Sequence, residues 1–328
     1  MKQIALSVVF GLITAVAMAA DVPRGWQAEW PDTDFAKTSI DFDEIMGGGP
    51  PKDGIPSIDN PRFQPVDEVK WLDGRSPVIG VEINGDARAY PLGILNRHEI
   101  ANDRVGGVPV AVTFCPLCNA SVVFRREIGG QETTFGTTGK LRNSDLVMYD
   151  RLTESWWQQF TGGAIVGELT GYELERIPAR IESFDKFRQR HPSGKVLERP
   201  FSRHDAYEQT PYPGYDGNSR PWGFYRGPMP ETVSPMARVV TVDDRAWALK
   251  LVRDQGRIET EDGLIITWSP GQASALDQPV IAESRDVGNV VVQRRTEDGL
   301  EDVPYGVDFA FAWKAFNPDR EPVARLEE

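Results

Sequence analysis

From Trp71 onward the chain alternates short apolar runs with glycine-rich breaks. Residues 78–83 are dominated by β-branched side chains, the composition of a buried strand. Asn84-Gly85 follows, and both residues tolerate positive φ, so a two-residue hairpin is expected there. Residues 87–92 return as the second strand. Leu92, Leu95, Glu99 and Ile100 recur at helical spacing, which predicts a helix over 93–103 that carries His98. Gly106-Gly107 turns the chain into a strand over 110–114, and 119–124 reads as the strand that leaves it. Gly129-Gly130 and the runs 133–136, 146–149 and 164–167 keep the same rhythm of short strands and glycine turns, the mark of a sandwich or barrel. Residues 184–191, stopped by Pro192, form the clearest helix. The expected fold is α+β and β-rich, with antiparallel sheets and a few short helices.

The pattern also divides the chain. Residues 1–19 read as a signal peptide: Lys2 is the positive start, 4–18 the apolar core, and Ala17-Met18-Ala19 the small-x-small cleavage site. The expectation is an exported protein, periplasmic or secreted, with no membrane insertion after cleavage. Residues 20–70 form an irregular extension rich in Pro, Gly and Asp. Its Gly47-Gly48-Gly49 lacks the Lys-Ser/Thr of a phosphate cradle and reads as a hinge. A β-rich lobe follows over 71–198, then a Pro/Gly/Tyr-rich linker or wrapping loop over 199–236, then a second lobe over 237–328. The second lobe echoes the first. Arg245-Ala246-Trp247-Ala248-Leu249 repeats Arg88-Ala89-Tyr90-Pro91-Leu92, and residues 264–270 repeat 110–116. Trp313 before Asn317-Pro318 repeats Phe187 before His191-Pro192. A degenerate internal duplication is expected, with both cysteines lost from the second copy.

Composition narrows the function classes. The net charge of −13 over 328 residues argues against nucleic acid and against anionic lipid, which would repel the chain. The two cysteines, Cys115 and Cys118, are spaced Cys-x-x-Cys between strands. The preferred reading is a dithiol redox site with Cys115 and Cys118 as catalytic thiols, served by a redox partner protein or a small-molecule thiol. A thioredoxin fold is not expected, because the residues after Cys118 read as a strand. The alternative is a copper or zinc site in which His98 joins the two thiolates, since a closed four-thiolate site within one chain is excluded. A purely structural disulfide is the third reading, weakened by the very small loop it would close. Asn119 rules out the haem-attachment variant, which needs His there. Glu99, Asn143, Asp145 and Trp156 are the supporting polar candidates. Asp145 is expected to pair with Arg151, and Trp156-Trp157 to point to opposite faces with one ring in the core. A hydrolase built on Ser144, His98 and Asp145 is disfavoured, because no nucleophile elbow is present.

Several of these stretches together resemble a known family. They are 84–92 (Asn-Gly-Asp-Ala-Arg-Ala-Tyr-Pro-Leu), His98-Glu99, Asn102-Asp103, the cysteine stretch, 143–151 (Asn-Ser-Asp-Leu-Val-Met-Tyr-Asp-Arg) and 153–158 (Thr-Glu-Ser-Trp-Trp-Gln). Residues 71–197 resemble the domain-of-unknown-function family numbered 3179. That family carries no established activity, so the resemblance implies a shared scaffold, and any redox or metal role falls on Cys115 and Cys118.

Overall fold

A computed structural model describes residues 22–200 and 204–325; the expected signal peptide lies outside them. The fold is β-rich, with several antiparallel sheets and short helices. Strands Pro77–Ile83 and Asp86–Pro91 pair antiparallel across Asn84 and Gly85, both at positive φ as the dipeptide requires. Helix Leu92–His98 follows, with all but Arg97 buried. It is shorter than its spacing predicted. Glu99 leaves helical geometry at φ 57°, and Ile100–Val105 continues as a strand. That strand opens the meander Ile100–Val105, Val108–Cys115, Ala120–Arg125.

A second sheet is built on strands Phe135–Arg142, Asp145–Asp150, Trp156–Gln158 and Ala164–Val166, with Ile45–Gly47 on its edge. Trp156 and Trp157 point to opposite faces, yet both rings are buried, not one. Trp157 joins the main core, while Trp156 joins Trp30, Phe35 and Phe42 in a separate cluster. Residues 22–70 are therefore more than an irregular extension, because their aromatic rings seal the far face of this sheet. Lys140 lies within about 5.5 Å of the rings of Trp26, Trp30 and Trp156 and bonds to Glu29 at 2.8 Å.

The two halves repeat one connectivity. Strands Arg238–Val242 and Arg245–Ala248 form a hairpin, helix Leu249–Gln255 follows, and Arg257–Glu259, Leu264–Ser269 and Asn289–Thr296 form a meander. In the first half Arg180–Ser183 returns to pair antiparallel with Pro77–Ile83, ahead of helix Phe184–Arg190. In the second half Gly306–Phe309 returns to pair antiparallel with Arg238–Val242, ahead of helix Ala310–Phe316. The turn Pro116–Asn119 of the first half has the long segment 270–288 as its counterpart, between Ser269 and Asn289.

One hydrophobic core runs through both halves. The packing between them is reciprocal. The returning strand Gly306–Phe309 packs on Ala120–Arg125, and the returning strand Arg180–Ser183 packs on Asn289–Thr296. Arg180 clasps Asp302 with two bonds of 2.5 and 2.6 Å. The described residues 204–236 wrap against the body of the fold. Tyr207, Tyr215 and Tyr225 are buried, and backbone N–H groups of Thr210, Gly214 and Asp216 donate to the carbonyls of Pro279, Asp277 and Leu276. The segment 270–288 thus straps this wrapping stretch to the body. No helix among the described residues is long and apolar enough to cross a membrane.

Candidate functional site

The cysteine strand Val108–Cys115 is buried from Pro109 onward. The chain then reverses through Pro116, Leu117, Cys118 and Asn119, so that Ala120 stands opposite Cys115. Asn119 takes φ 50°, a left-handed conformation that Asn adopts more readily than most residues. The amide of Cys118 donates to the Cys115 carbonyl at 3.3 Å, and that of Asn119 to the Pro116 carbonyl at 3.2 Å. The returning strand of the second half locks the turn from outside. Phe309 N–H donates to the Cys118 carbonyl at 2.9 Å, and Asn119 Nδ2 donates to the Val307 carbonyl at 2.5 Å. Both cysteines are free thiols, 1% and 0% exposed.

Asp145 reaches the sulfurs from the neighbouring sheet. Asn143 and Ser144 join Phe135–Arg142 to Asp145–Asp150 at φ 56° and 65°, the pair of positive values a primed hairpin turn demands. That turn brings the Ser144 carbonyl within 3.7 Å of the Cys115 thiol, which donates to it. The ligand atoms of Cys115, Cys118 and Asp145 all lie within 4.8 Å of one another, and all three residues are buried. Asp145 Oδ2 accepts from Gln158 Nε2 at 2.7 Å and from Phe160 N–H at 2.8 Å. Its Oδ1 is buried with no N–H or O–H partner among the described residues, and so is the Ser144 hydroxyl.

Burial governs the charge state. It pushes the Asp145 carboxyl up to about 7 against the pull of the Gln158 and Phe160 donors. It pushes Glu99 up to about 8, with the Asp145 charge adding to the effect. Both thiols are raised for the same reason, and the Asp145 charge opposes a thiolate at either one. Without a cation the corner therefore favours neutral thiols and neutral carboxyls, since a dry site disfavours each charge. Glu99 is also conformationally unusual. At φ 57° it occupies a region L-residues rarely adopt, and the equivalent position after the second helix is Gly256 at φ 71°. The parallel is close: Phe114 N–H donates to the Glu99 carbonyl at 2.8 Å, and Trp268 N–H donates to that of Gly256 at 3.0 Å.

Residues 52–320 match the family described as Protein of unknown function (DUF3179). The chain belongs to that family. No curated protein and no solved structure matches it. The DUF3179 match runs past the first half, so the wrapping stretch and the second half belong to the family unit with the thiol corner.

In this DUF3179 chain the wrapping stretch covers the corner. Tyr215 donates its hydroxyl to the Leu117 carbonyl at 2.9 Å, inside the cysteine turn. Tyr212 lies near enough for the charges of Glu99 and Cys115 to oppose ionisation of its phenol, which burial already disfavours. Nothing in the local sequence around Cys115 announced this cover; its one signal was the tyrosine content of 199–236. His98 is placed with its Nδ1 at 2.8 Å from the Pro56 carbonyl and its Nε2 at 3.0 Å from the Tyr207 hydroxyl. It is not among the three residues whose ligand atoms converge. Asp145 does not pair with Arg151, which instead bridges Asp53 and Asp59. The reason is geometric: the two side chains sit at opposite ends of one strand. Asn143 serves as a turn residue, and Trp156 packs in the separate aromatic cluster. His191, at the end of its helix, is held below the usual histidine range by burial and by Arg190.

Proposed function

We propose that Cys115, Cys118 and Asp145 form a buried centre for a divalent thiophilic cation of the zinc class. The observation that carries this reading is the approach of their ligand atoms to within 4.8 Å. Two sulfurs and a carboxylate oxygen on one zinc ion, with bonds of ~2.0–2.3 Å, stand within about 4 Å of one another. The spacing is therefore close to that of a bound set. Charge selects the ion. Two thiolates and a carboxylate carry three negative charges in a dry site, and a dication offsets two of them where copper(I) offsets one. The cation also supplies what the raised thiols lack, because binding replaces protons with metal.

The dithiol redox reading draws support from the Cys-x-x-Cys spacing, but disulfide exchange needs an attackable sulfur. Both sulfurs are buried, and Tyr215 is bonded to the turn that carries them, which weighs for a held ion over an exchanging thiol. In an exported chain a bound ion would also protect the pair from oxidation.

The test is competition for zinc against a chromophoric chelator, using the metal-stripped full mature chain. One equivalent should bind, with two protons or more released at neutral pH. Cys118→Ser and Asp145→Asn should each weaken binding by more than about a hundredfold, the upper end of what losing an outer-shell partner costs. Failure of the stripped chain to take up one equivalent of zinc, or equal binding by the variants, overturns the reading.

A further inference from the structure

The second half holds a large open cleft of about 1080 Å³, remote in sequence from the cysteines. Helix Leu249–Gln255, the stretch 232–238, residues 285–287 and Ala324-Arg325 form its walls. Met236, Leu249, Leu251 and Val287 give it an apolar lining. Five cationic side chains also line it, Arg238, Lys250, Arg253, Arg285 and Arg325, against the carboxylates of Asp254 and Asp286. On a chain of net charge −13, such a concentration of positive charge stands out.

The nearby acids are already engaged. Asp286 accepts from the backbone N–H groups of Gly271, Gln272 and Gly288. Asp254 is shared by Lys250 and Arg253. Asp216, behind the wall, is fully buried and is shared by Arg238 and Arg285, each at 3.1 Å. Asp277 adds a fourth carboxylate, accepting from the Arg285 backbone N–H and acting by its charge on Arg238, so five cations face four carboxylates and the cleft keeps a positive surplus. Arg238 is more than nine-tenths buried, and its Nε finds no partner among the described residues. A buried unsatisfied donor on a cationic group is costly to leave unpaired.

The internal repeat sharpens the contrast. In the first half the equivalent helix, Leu92–His98, is covered by the wrapping stretch. Arg97 Nε donates to the Ala206 carbonyl at 2.9 Å, and a Cβ on Gly93 would meet the Tyr207 carbonyl oxygen at 2.1 Å. In the second half Lys250 stands where Gly93 stands, and only Leu251 and Val252 of the helix are buried. The same helical face that is sealed in one half is left open and cationic in the other.

We propose that this cleft binds a small amphiphilic anion, a carboxylate or phosphate head on a short aliphatic body. The head meets Arg285 and Arg238 above Asp216, and the body lies along Met236, Leu249 and Val287. Guanidinium forks match oxyanion geometry, and the apolar wall rewards a tail. The site is independent of the thiol corner.

The test is calorimetric titration of the full mature chain with octyl phosphate and with octanoate, beside octyltrimethylammonium as the cationic control. Saturable one-to-one binding of at least one anion is expected, weakened by salt, with no binding of the cation. Arg285→Gln should weaken it by about tenfold or more, the worth of a charged hydrogen bond. Lys250→Gln, on an exposed side chain that does not touch Asp216, should weaken it less and is a second variant should Arg285→Gln fold poorly. Absence of saturation by both anions up to millimolar concentration overturns the proposal. So does equal affinity for the cation, or undiminished binding in both variants.

Discussion

Glu99 shows how much one residue can hold against its own interest. Its backbone sits at φ 57° and its carboxyl is buried beside Asp145. Strained non-glycine residues persist where surroundings over-determine them, and they gather at functional sites. The second half, which has no cysteines, uses Gly256 at the same place. Comparing Glu99→Gly with Glu99→Ala isolates the strain, because both remove the carboxyl and differ only by a Cβ. The glycine variant should be the more stable by about 1 kcal/mol in urea unfolding, the cost of a left-handed L-residue. Equal stability would mean the backbone relaxes. Glu99 is half legible in the sequence: its residue type marks a polar candidate, but its strain is a backbone property that the equivalent Gly256 exposes. Asp145 is legible as a polar candidate as well, but its partners are Gln158 and Phe160 and not Arg151. No local pattern states that a hairpin turn at 143–144 meets a cysteine turn at 116–119, since that meeting is a matter of sheet packing.

Hairpins and meanders were legible because their punctuation is local. Asn84-Gly85 supplies the positive φ that its turn needs, and the alternation of apolar runs with glycine pairs carries the strand order. The stretch 199–236 reads from composition as a linker or a wrapping loop, but composition does not say that its described part covers the cysteine turn. Its position depends on bonds to 270–288, a segment with no counterpart of similar length in the first half. Tyr215 is where that cover meets the turn, through its bond to the Leu117 carbonyl. Tyr215→Phe leaves a buried carbonyl without its donor, at a cost of about 1 kcal/mol. The expected result is faster reaction of Cys115 and Cys118 with a thiol reagent in the folded, metal-free protein, by about fivefold if opening is limited by that bond. An unchanged rate would show that the reagent reaches the sulfurs by another route.

At the scale of the molecule the two halves share a core, and a buried acid lies at their junction. Asp308 is fully buried on the returning strand of the second half and accepts from Thr241 Oγ1 at 2.6 Å. Burial pushes its carboxyl up to about 7, and the Asp145 charge adds to this, while Thr241 and Arg176 oppose it. Because the folded state holds this proton more tightly than the unfolded chain, its contribution is complete below about pH 4. That contribution is lost as pH rises toward 7, at up to ~1.4 kcal/mol per unit. Asp308→Asn cannot ionise. Its stability relative to the parent should therefore rise by about 2 kcal/mol between pH 5 and pH 7.5, read from urea midpoints. A pH-independent difference would place the titration elsewhere. The repeat itself was visible as scattered echoes, and the connectivity of the two halves matches them in order.

The reciprocal packing of the returning strands carries a further consequence. A contact in which each partner lends the other the same element is isologous, the kind two identical subunits make about a two-fold axis. Each half therefore completes the other across this seam, so a change in either returning strand is felt on both sides of it. The two corners along the seam are not identical: one carries the sulfurs, and the other, with Ser269 where Cys115 stands, leads into the segment to which the wrapping stretch is bonded.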